Sequence, residues 1–319
     1  MRFFSDANYD FIGLRRKAYI LSAAALVLCL IAAIVWTLTP GRSWLNYGVD
    51  FLGGTQIMVE IAGESDSGAL RAVLDPLFPG VQITPFGTRE TGREYLIRTL
   101  QQGEATSGAA DVIPDALARE FGQERVRIDR TDAVGAKVGN ELQIRALIAI
   151  LVSFAATMIY LAFRFEWRFG VAAVIATVHD ILITLGMISV LQLEVALPMV
   201  AAVLTIVGYS LNDTIVIFDR IRENLAGPIR RQGFEAVLNK SINETLPRTV
   251  LTSATTLVTL VSLYLFGGVV IREFALILII GILLGTYSSI FVASPALLEV
   301  EKRWPAERKK KPRAARVRA

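Results

Sequence analysis

Six long apolar runs, each of 18 to 25 residues, divide the chain. A helix of about 20 apolar residues is long enough to cross the hydrocarbon core of a bilayer. The pattern therefore predicts a polytopic α-helical membrane protein with six transmembrane helices, the first at 19–39 and the other five within 143–299. The runs are 19–38, 146–163, 169–193, 195–218, 249–271 and 274–298.

The long segment between the first two runs, residues 40–142, has a different pattern. Apolar and polar residues alternate in four stretches, as in half-buried strands, and two stretches have helical spacing. The order β-α-β-β-α-β predicts a ferredoxin-like α+β domain between helices 1 and 2. The predicted strands are 55–61, 81–86, 95–100 and 125–131, and the predicted helices are 66–78 and 109–121.

The distribution of Lys and Arg predicts the orientation in the membrane. With both termini on one side, that side holds 21 of the 33 Lys and Arg residues, in segment 1–18, the short loops and tail 300–319. By the positive-inside rule both termini are cytoplasmic. The α+β domain is then periplasmic, the membrane is the bacterial inner membrane, and the basic tail is expected to touch anionic lipid. The first run is longer than the apolar part of a signal peptide, so we expect it to be retained.

Composition narrows the chemistry. Hydrophobic residues make up 53% of the chain and the mean hydropathy is +0.50, above the apolar share of about 45–50% in soluble proteins. The single cysteine, Cys29, and single histidine, His179, exclude an internal disulfide and a Cys/His zinc site. The net charge of +4 arises from residues beside apolar runs, so nucleic acid is not an expected partner. The side chains that remain as candidates for the chemistry are carboxylates, arginines and hydroxyls.

Asp213 is the main candidate, because it is the single charge in the run 195–218. An ionised Asp in mid-membrane costs about 3 kcal/mol, and such residues commonly mark ion or proton paths. Asp180, in the third run, needs a partner or a proton for the same reason. Its neighbour His179 fits a packed neutral side chain as well as a proton carrier. The alternative that Asp213 is purely structural and only bonds a neighbouring helix stays open.

Polar residues near Asp213 complete the candidate site. Thr205, Gly208 and Asn212 are predicted to share a helix face with Asp213. Residues 220–248 form a loop with an amphipathic helix, after which Arg248 opens the fifth span. Arg248 is either a topology anchor or an ion-pair partner of Asp213. The hydroxyls that follow it either join helices or line a hydrated track, with Thr252 and Thr256 as candidates. The small residues at 281, 285, 289 and 293 predict close helix packing.

Six motifs distributed over nearly the whole chain resemble one known family when taken together. They are YGVDFLGGT at 47–55, His179-Asp180, GYSLNDT at 208–214, DRIREN at 219–224, LPRT at 246–249 and LFGG at 265–268. The set resembles the SecF branch of the SecD/SecF family, which serves the bacterial Sec protein-export machinery.

The resemblance implies a function and partners. A member would form half of a bundle of the resistance-nodulation-division superfamily, pair with SecD, associate with the SecYEG channel and act on unfolded exported polypeptides; YajC is a further candidate partner. It would use the proton-motive force in late export and would be neither an enzyme nor a user of cofactors. By motif, Asp213 matches the family's proton-responsive carboxylate and Arg248 its basic partner. Gly53 and Gly54 are either hinges or simple turns.

Three other functions are weighed against this one. A passive scaffold would tolerate a neutral pair in place of Asp213 and Arg248. Half of an efflux transporter of the same superfamily would need a second half. An intramembrane aspartyl protease would use Asp180 and Asp213 together, but their contexts, His-Asp and Asn-Asp, do not match that class.

Overall fold

The computed structural model describes residues 8–40, 42–63, 65–88, 92–100 and 108–305. Within them, six helices are long and apolar enough to cross a membrane, as predicted. In chain order the elements are α1 (Arg15–Leu38), β1 (Asn46–Tyr47), α2 (Val49–Leu52), β2 (Gly54–Ala62), α3 (Ser67–Leu74), β3 (Gln82–Thr88), β4 (Gly92–Leu100), α4 (Ala109–Phe121), β5 (Val126–Val134), α5 (Ala136–Arg164), α6 (Trp167–Leu191), β6 (Glu194–Val195), α7 (Leu197–Ala226), α8 (Phe234–Phe266), α9 (Val269–Ser288) and α10 (Ser294–Arg303).

The sheet domain, which runs from β2 to β5, has the predicted topology. Its four strands pair antiparallel in the order β3-β4-β2-β5, the strand order of a ferredoxin-like sandwich. Ile57, Val59 and Ile61 alternate along β2 and are at most 1% exposed. They pack with Leu70 of α3 and Ile113 of α4 in one cluster. The period-2 apolar pattern of β2 therefore forms the face on which both helices pack.

Two ends of the helix bundle can be distinguished. The domain end carries the sheet domain, and the tail end carries the last residues of α10. At the domain end, β1 pairs in parallel with β6, so Asn46 lies opposite Glu194 and Tyr47 opposite Val195. This two-residue pair joins the segment that enters the sheet domain to the segment that enters α7. The sheet domain is thus connected to α7 as well as to α1 and α5.

Small residues let α9 pack closely on α7, as their spacing predicts. A Cβ atom at Gly281 would overlap Ile206, and one at Gly285 would lie 3.0 Å from Ser210 Cβ. After Ser288, a π-helical turn at Ser289–Ala293 joins α9 to α10. The sixth span is therefore one long helix with a single irregular turn. In contrast, α5 is exposed along most of its length.

The segment between the fourth and fifth spans differs from the prediction, which placed a separate amphipathic helix there. The helix α8 runs unbroken for 33 residues through Pro247, so the amphipathic segment and the fifth span are one element. Proline removes one helical hydrogen bond and favours a break. Here Val237, Leu238 and Ile242, each 0% exposed, hold the first part of α8 against the bundle. Tertiary packing therefore outweighs the local preference of proline.

Candidate functional site

Asp213 points into the bundle from the middle of α7. Its residue is 2% exposed, and its Oδ2 atom has no hydrogen-bond partner in the described part of the chain. A buried polar atom without a partner costs about 1–3 kcal/mol, and more for a charged group. The burial of a carboxylate with an unbonded oxygen is the feature expected of a group that changes its protonation state.

A second unbonded polar atom lies at the same level on α8. Because α7 and α8 run antiparallel, the 3.4 Å hydrogen bond from Tyr209 to Ser253 sets their register. One turn further along each helix brings Asp213 level with Thr249. Thr249 is 1% exposed, and its hydroxyl makes no hydrogen bond within the described residues. A carboxylate oxygen and a hydroxyl thus both lack partners between α7 and α8.

Arg248 stands beside Asp213 without contacting it. Its side chain is exposed, and no hydrogen bond or ion pair within 4.0 Å joins the two residues, both of which are described. Its charge still acts electrostatically on Asp213. Successive helical residues point about 100° apart, so Arg248 faces outward while the next residue, Thr249, faces the bundle.

The other candidates on α7 and α8 lie at exposed or half-buried positions. Gly208 and Asn212 are exposed, and a Cβ atom at Gly208 would meet nothing within 4 Å. The prediction that they share a face with Asp213 is wrong, because at about 100° per residue Asn212 points about 100° and Gly208 about 140° away from Asp213. Thr252 is exposed and Thr256 half-buried, and both hydroxyls donate to carbonyls one turn back, at 2.9 Å.

Asp180 occupies a fully bonded site, unlike Asp213. It is 1% exposed, and its carboxylate contacts polar groups of α6, α7 and α9. Ser210 of α7 donates to Oδ2 at 2.5 Å, Ser288 of α9 donates to Oδ2 at 2.6 Å, and His179 Nδ1 lies 2.9 Å from Oδ1. Neither serine is identified by the sequence pattern alone. Each is a polar residue in an otherwise apolar run. This feature indicates a site only when it is known which helix faces contact each other.

His179 extends this network to α1. Its Nε2 atom lies 3.0 Å from Ser22 Oγ, which lies 3.1 Å from the Tyr287 hydroxyl. Tyr287 donates to the Ala18 carbonyl at 2.8 Å. The pair His179-Asp180 therefore connects α1, α6, α7 and α9 through hydrogen bonds at one level of the bundle. No hydrogen bond joins Asp180 to Asp213, two residues that the structure describes.

The candidate hinge glycines lie where the sheet domain meets α5. Gly53 has φ +78° and Gly54 φ +142°, conformations that residues with a Cβ rarely adopt. A Cβ atom at Gly53 would lie 2.6 Å from Ala136 Cα. Both glycines are thus required by backbone geometry, and Gly53 also by close packing.

Among the described residues, no group of three or more His, Cys, Asp or Glu side chains is placed to hold a metal ion.

The fold and this site define a class: a six-span helical membrane protein with buried carboxylates in its bundle and an α+β domain between its first two spans. A family model described as "Protein export membrane protein SecD/SecF, C-terminal" matches residues 115–303. The chain belongs to the SecD/SecF family. The predicted resemblance is therefore confirmed, and with it a part in protein export.

Similar proteins cover almost the whole chain. The protein translocase subunit SecF of Gemmatimonas aurantiaca is 44% identical over 96% of this chain and 91% of its own length. The subunit of the same name from Rhodothermus marinus is 40% identical over 97% of this chain and 98% of its own. The crystal structure of SecDF from Thermus thermophilus, a translocon-associated membrane protein, superposes with a TM-score of 0.79 at 38% identity. It covers 95% of this chain, which spans 40% of the SecDF chain.

Proposed function

We propose that this chain acts as a SecF-type subunit that pairs with SecD beside the SecYEG channel and couples the proton-motive force to late-stage export of unfolded polypeptides. Its similarity to named SecF translocase subunits supports the export role. Its match to 40% of the SecDF chain supports a second subunit that supplies the remainder. In this function the chain is a transport subunit rather than an enzyme, and the proton gradient replaces any cofactor.

The observation that carries the proposal is the buried Asp213 carboxylate, whose Oδ2 lacks a partner in the described residues. Protonation would remove its charge and its attraction to Arg248, so the packing preferred by α7 and α8 would change. A proton that crosses the membrane potential releases about 2.3 kcal/mol per 100 mV. A population ratio of two bundle conformations changes about tenfold for each 1.4 kcal/mol.

A polar outward face supports the pairing with a partner subunit. Gly208, Asn212, Arg248 and Thr252 are exposed on α7 and α8, at positions that lipid would surround in an isolated chain. Charged and amide groups in contact with lipid are unfavourable and usually face a bundle interior. A SecD bundle packed on this face would enclose Arg248 and bring its charge into a shared interior with Asp213.

The network around Asp180 has a second role in the proposal. Its hydroxyl donors join Asp180 to α7 and α9, while His179 connects it to α1. We assign Asp180 and His179 to the coupling machinery as the point that holds α7 in register. Gly53 and Gly54 serve as the joint between bundle and sheet domain.

The orientation follows from the distribution of basic residues. Both termini are cytoplasmic, the sheet domain is periplasmic, and the membrane is the bacterial inner membrane. The sheet domain then contacts the emerging polypeptide, and the basic tail contacts anionic lipid. YajC is a further candidate partner. Nucleic acid is not a proposed partner, because the same basic residues are assigned to setting the orientation in the membrane.

The test is export of a secreted reporter into inverted vesicles that contain the chain, SecD and SecYEG. Late-stage export is expected to accelerate when a proton gradient is imposed and to return to the basal rate when an ionophore dissipates it. A passive scaffold would raise export equally with and without the gradient. An efflux transporter would leave export unchanged in both conditions.

A further inference from the structure

The start of α7 and the strand β6 before it make two polar contacts, one to α2, which leads into the sheet domain, and one to the sheet itself. Asp50 Oδ2, on α2, accepts a hydrogen bond from the backbone N–H of Leu197 at 2.9 Å. Arg98, on β4, forms an ion pair with Glu194, which stands on β6 directly before α7. A displacement of α7 along its axis therefore acts on the sheet domain through these contacts.

The ion pair between Arg98 and Glu194 is largely buried and is supported by a further hydrogen bond. The side chains of Arg98 and Glu194 are 12% and 9% exposed, and Arg98 Nε also donates to Gln56 Oε1 at 3.0 Å. A Cβ atom at Gly48 would overlap the Glu194 carboxylate, so glycine leaves the room that Glu194 occupies. Burial lowers the pKa of the Arg98 guanidinium, and nearby carboxylates oppose that effect. Arginine remains charged under these conditions.

A second carboxylate faces Arg98 from another helix. Glu273, the fifth residue of α9, lines the same cavity of about 610 Å³ as Arg98, Glu194 and Asp50. Glu273 interacts electrostatically with Arg98. Its side chain makes no hydrogen bond or ion pair with the residues that the structure describes. One guanidinium thus has a bonded carboxylate on the α7 side and an unbonded one on the α9 side, and all three groups line one cavity.

We propose that Arg98 is a two-position latch, paired with Glu194 in the present conformation and with Glu273 in a second one, whose exchange transmits bundle movement to the sheet domain. Exchange of salt-bridge partners is a common way for packed elements to hold two discrete arrangements. The latch rests on the proposed function, in which a change of charge at Asp213 shifts α7 against α9. Arg98, Glu194 and Glu273 act here as positioning residues.

The experiment measures the distance between spin labels on cysteines introduced at Ala72, exposed on α3, and Leu191, exposed at the domain end of α6. The full chain, with Cys29→Ala, is reconstituted with SecD in liposomes without a proton gradient. Two distance populations are expected. Glu194→Gln is expected to shift their ratio about tenfold toward the second population, and Glu273→Gln about tenfold toward the first.

The control is Glu141→Gln, which removes the 3.7 Å ion pair with Arg145 on α5, outside the lining of the cavity. It is expected to keep the reference ratio. Because Glu273 forms no bond in the present conformation, Glu273→Gln should also keep the thermal unfolding midpoint, so a shifted ratio reports on the latch rather than on stability. A single population in all variants, or a Glu273→Gln ratio equal to the reference, overturns the proposal.

An imposed gradient separates the latch from the proposed function. If the glutamine variants shift the ratio without a gradient and the gradient also shifts it in the unsubstituted latch, both stand. If the variants shift the ratio but the gradient does not, the latch stands and proton coupling falls. If the variants have no effect while export still responds to the gradient, the latch falls and proton coupling stands.

Discussion

The hydroxyl of Ser210 donates a 2.5 Å hydrogen bond to the buried carboxylate of Asp180. Ser210 stands on α7 three residues before Asp213. The helix that carries the partly unbonded carboxylate is therefore attached to the fully bonded one. A rotation of α7 that follows a change of charge at Asp213 must break or move this bond, so the two carboxylates are mechanically connected without contacting each other.

Ser210→Ala removes a donor to a buried carboxylate and should lower the free energy of unfolding by about 1.5–3 kcal/mol. Thermal unfolding of the detergent-solubilised chain measures this effect. The matched control is Ser262→Ala on α8, an exposed serine whose hydroxyl donates to the Val258 carbonyl of its own helix at 3.0 Å. The control is expected to change stability by less than about 0.5 kcal/mol. Equal effects of the two substitutions would contradict the role of Ser210.

Tyr287→Phe should detach α1 from the network. The substitution removes the 2.8 Å hydrogen bond to the Ala18 carbonyl and the contact with Ser22, with an expected loss of about 1 kcal/mol. Tyr264→Phe is the control, because the Tyr264 ring contacts Arg272 through its face, which the substitution retains. Amide hydrogen exchange of α1 should rise in the first variant only. Unchanged exchange in both would show that α1 is held by apolar packing alone.

Thr249→Val tests the unbonded hydroxyl opposite Asp213. Valine has nearly the same shape, and removal of a buried hydroxyl without a partner should leave stability unchanged or raise it by up to about 1 kcal/mol. Unfolding temperature is the measurement, and Ser253→Ala is the comparison, since it breaks the 2.7 Å hydrogen bond to Thr286 and should destabilise. A loss of stability in Thr249→Val would mean that this hydroxyl is bonded in the membrane.

Much of the fold follows from the sequence alone. The six apolar runs and the period-2 stretches fix element type, because a span needs length and a half-buried strand needs alternation. Pro247 led to a wrong division of α8, since the packing of Val237 and Leu238 that keeps the helix intact involves residues far along the chain.

The candidate site was less predictable. A single intramembrane charge identifies Asp213, but the serines that bond Asp180 come from two other helices, and only the packing of those helices shows which polar residues meet. The outward direction of Gly208 and Asn212 depends on where α7 contacts its neighbours, which helical spacing does not define.

Gly53→Ala should disturb the joint between bundle and sheet domain more than Gly80→Ala does. Both glycines have a positive φ, +78° and +80°, so alanine is strained at either by about 1 kcal/mol. At Gly53 the added Cβ would also lie 2.6 Å from Ala136 Cα, whereas at Gly80 it meets nothing within 4 Å. The difference between their unfolding free energies measures the packing contribution. Equal values would show that the close approach at Gly53 relaxes freely.

The most direct test of the proton-coupling account compares Asp213→Asn with Asp219→Asn at equal membrane abundance. Asp219 is the control because it lies two turns away on the same helix, partly exposed, in a 2.7 Å ion pair with Arg164. The measurement is the rate of reporter export into vesicles with and without an imposed proton gradient. Asp213→Asn is expected to lose the gradient-dependent part while it still co-purifies with SecD, and Asp219→Asn to retain it. Retention of the gradient-dependent part by Asp213→Asn would contradict the account and leave Asp213 as a structural residue.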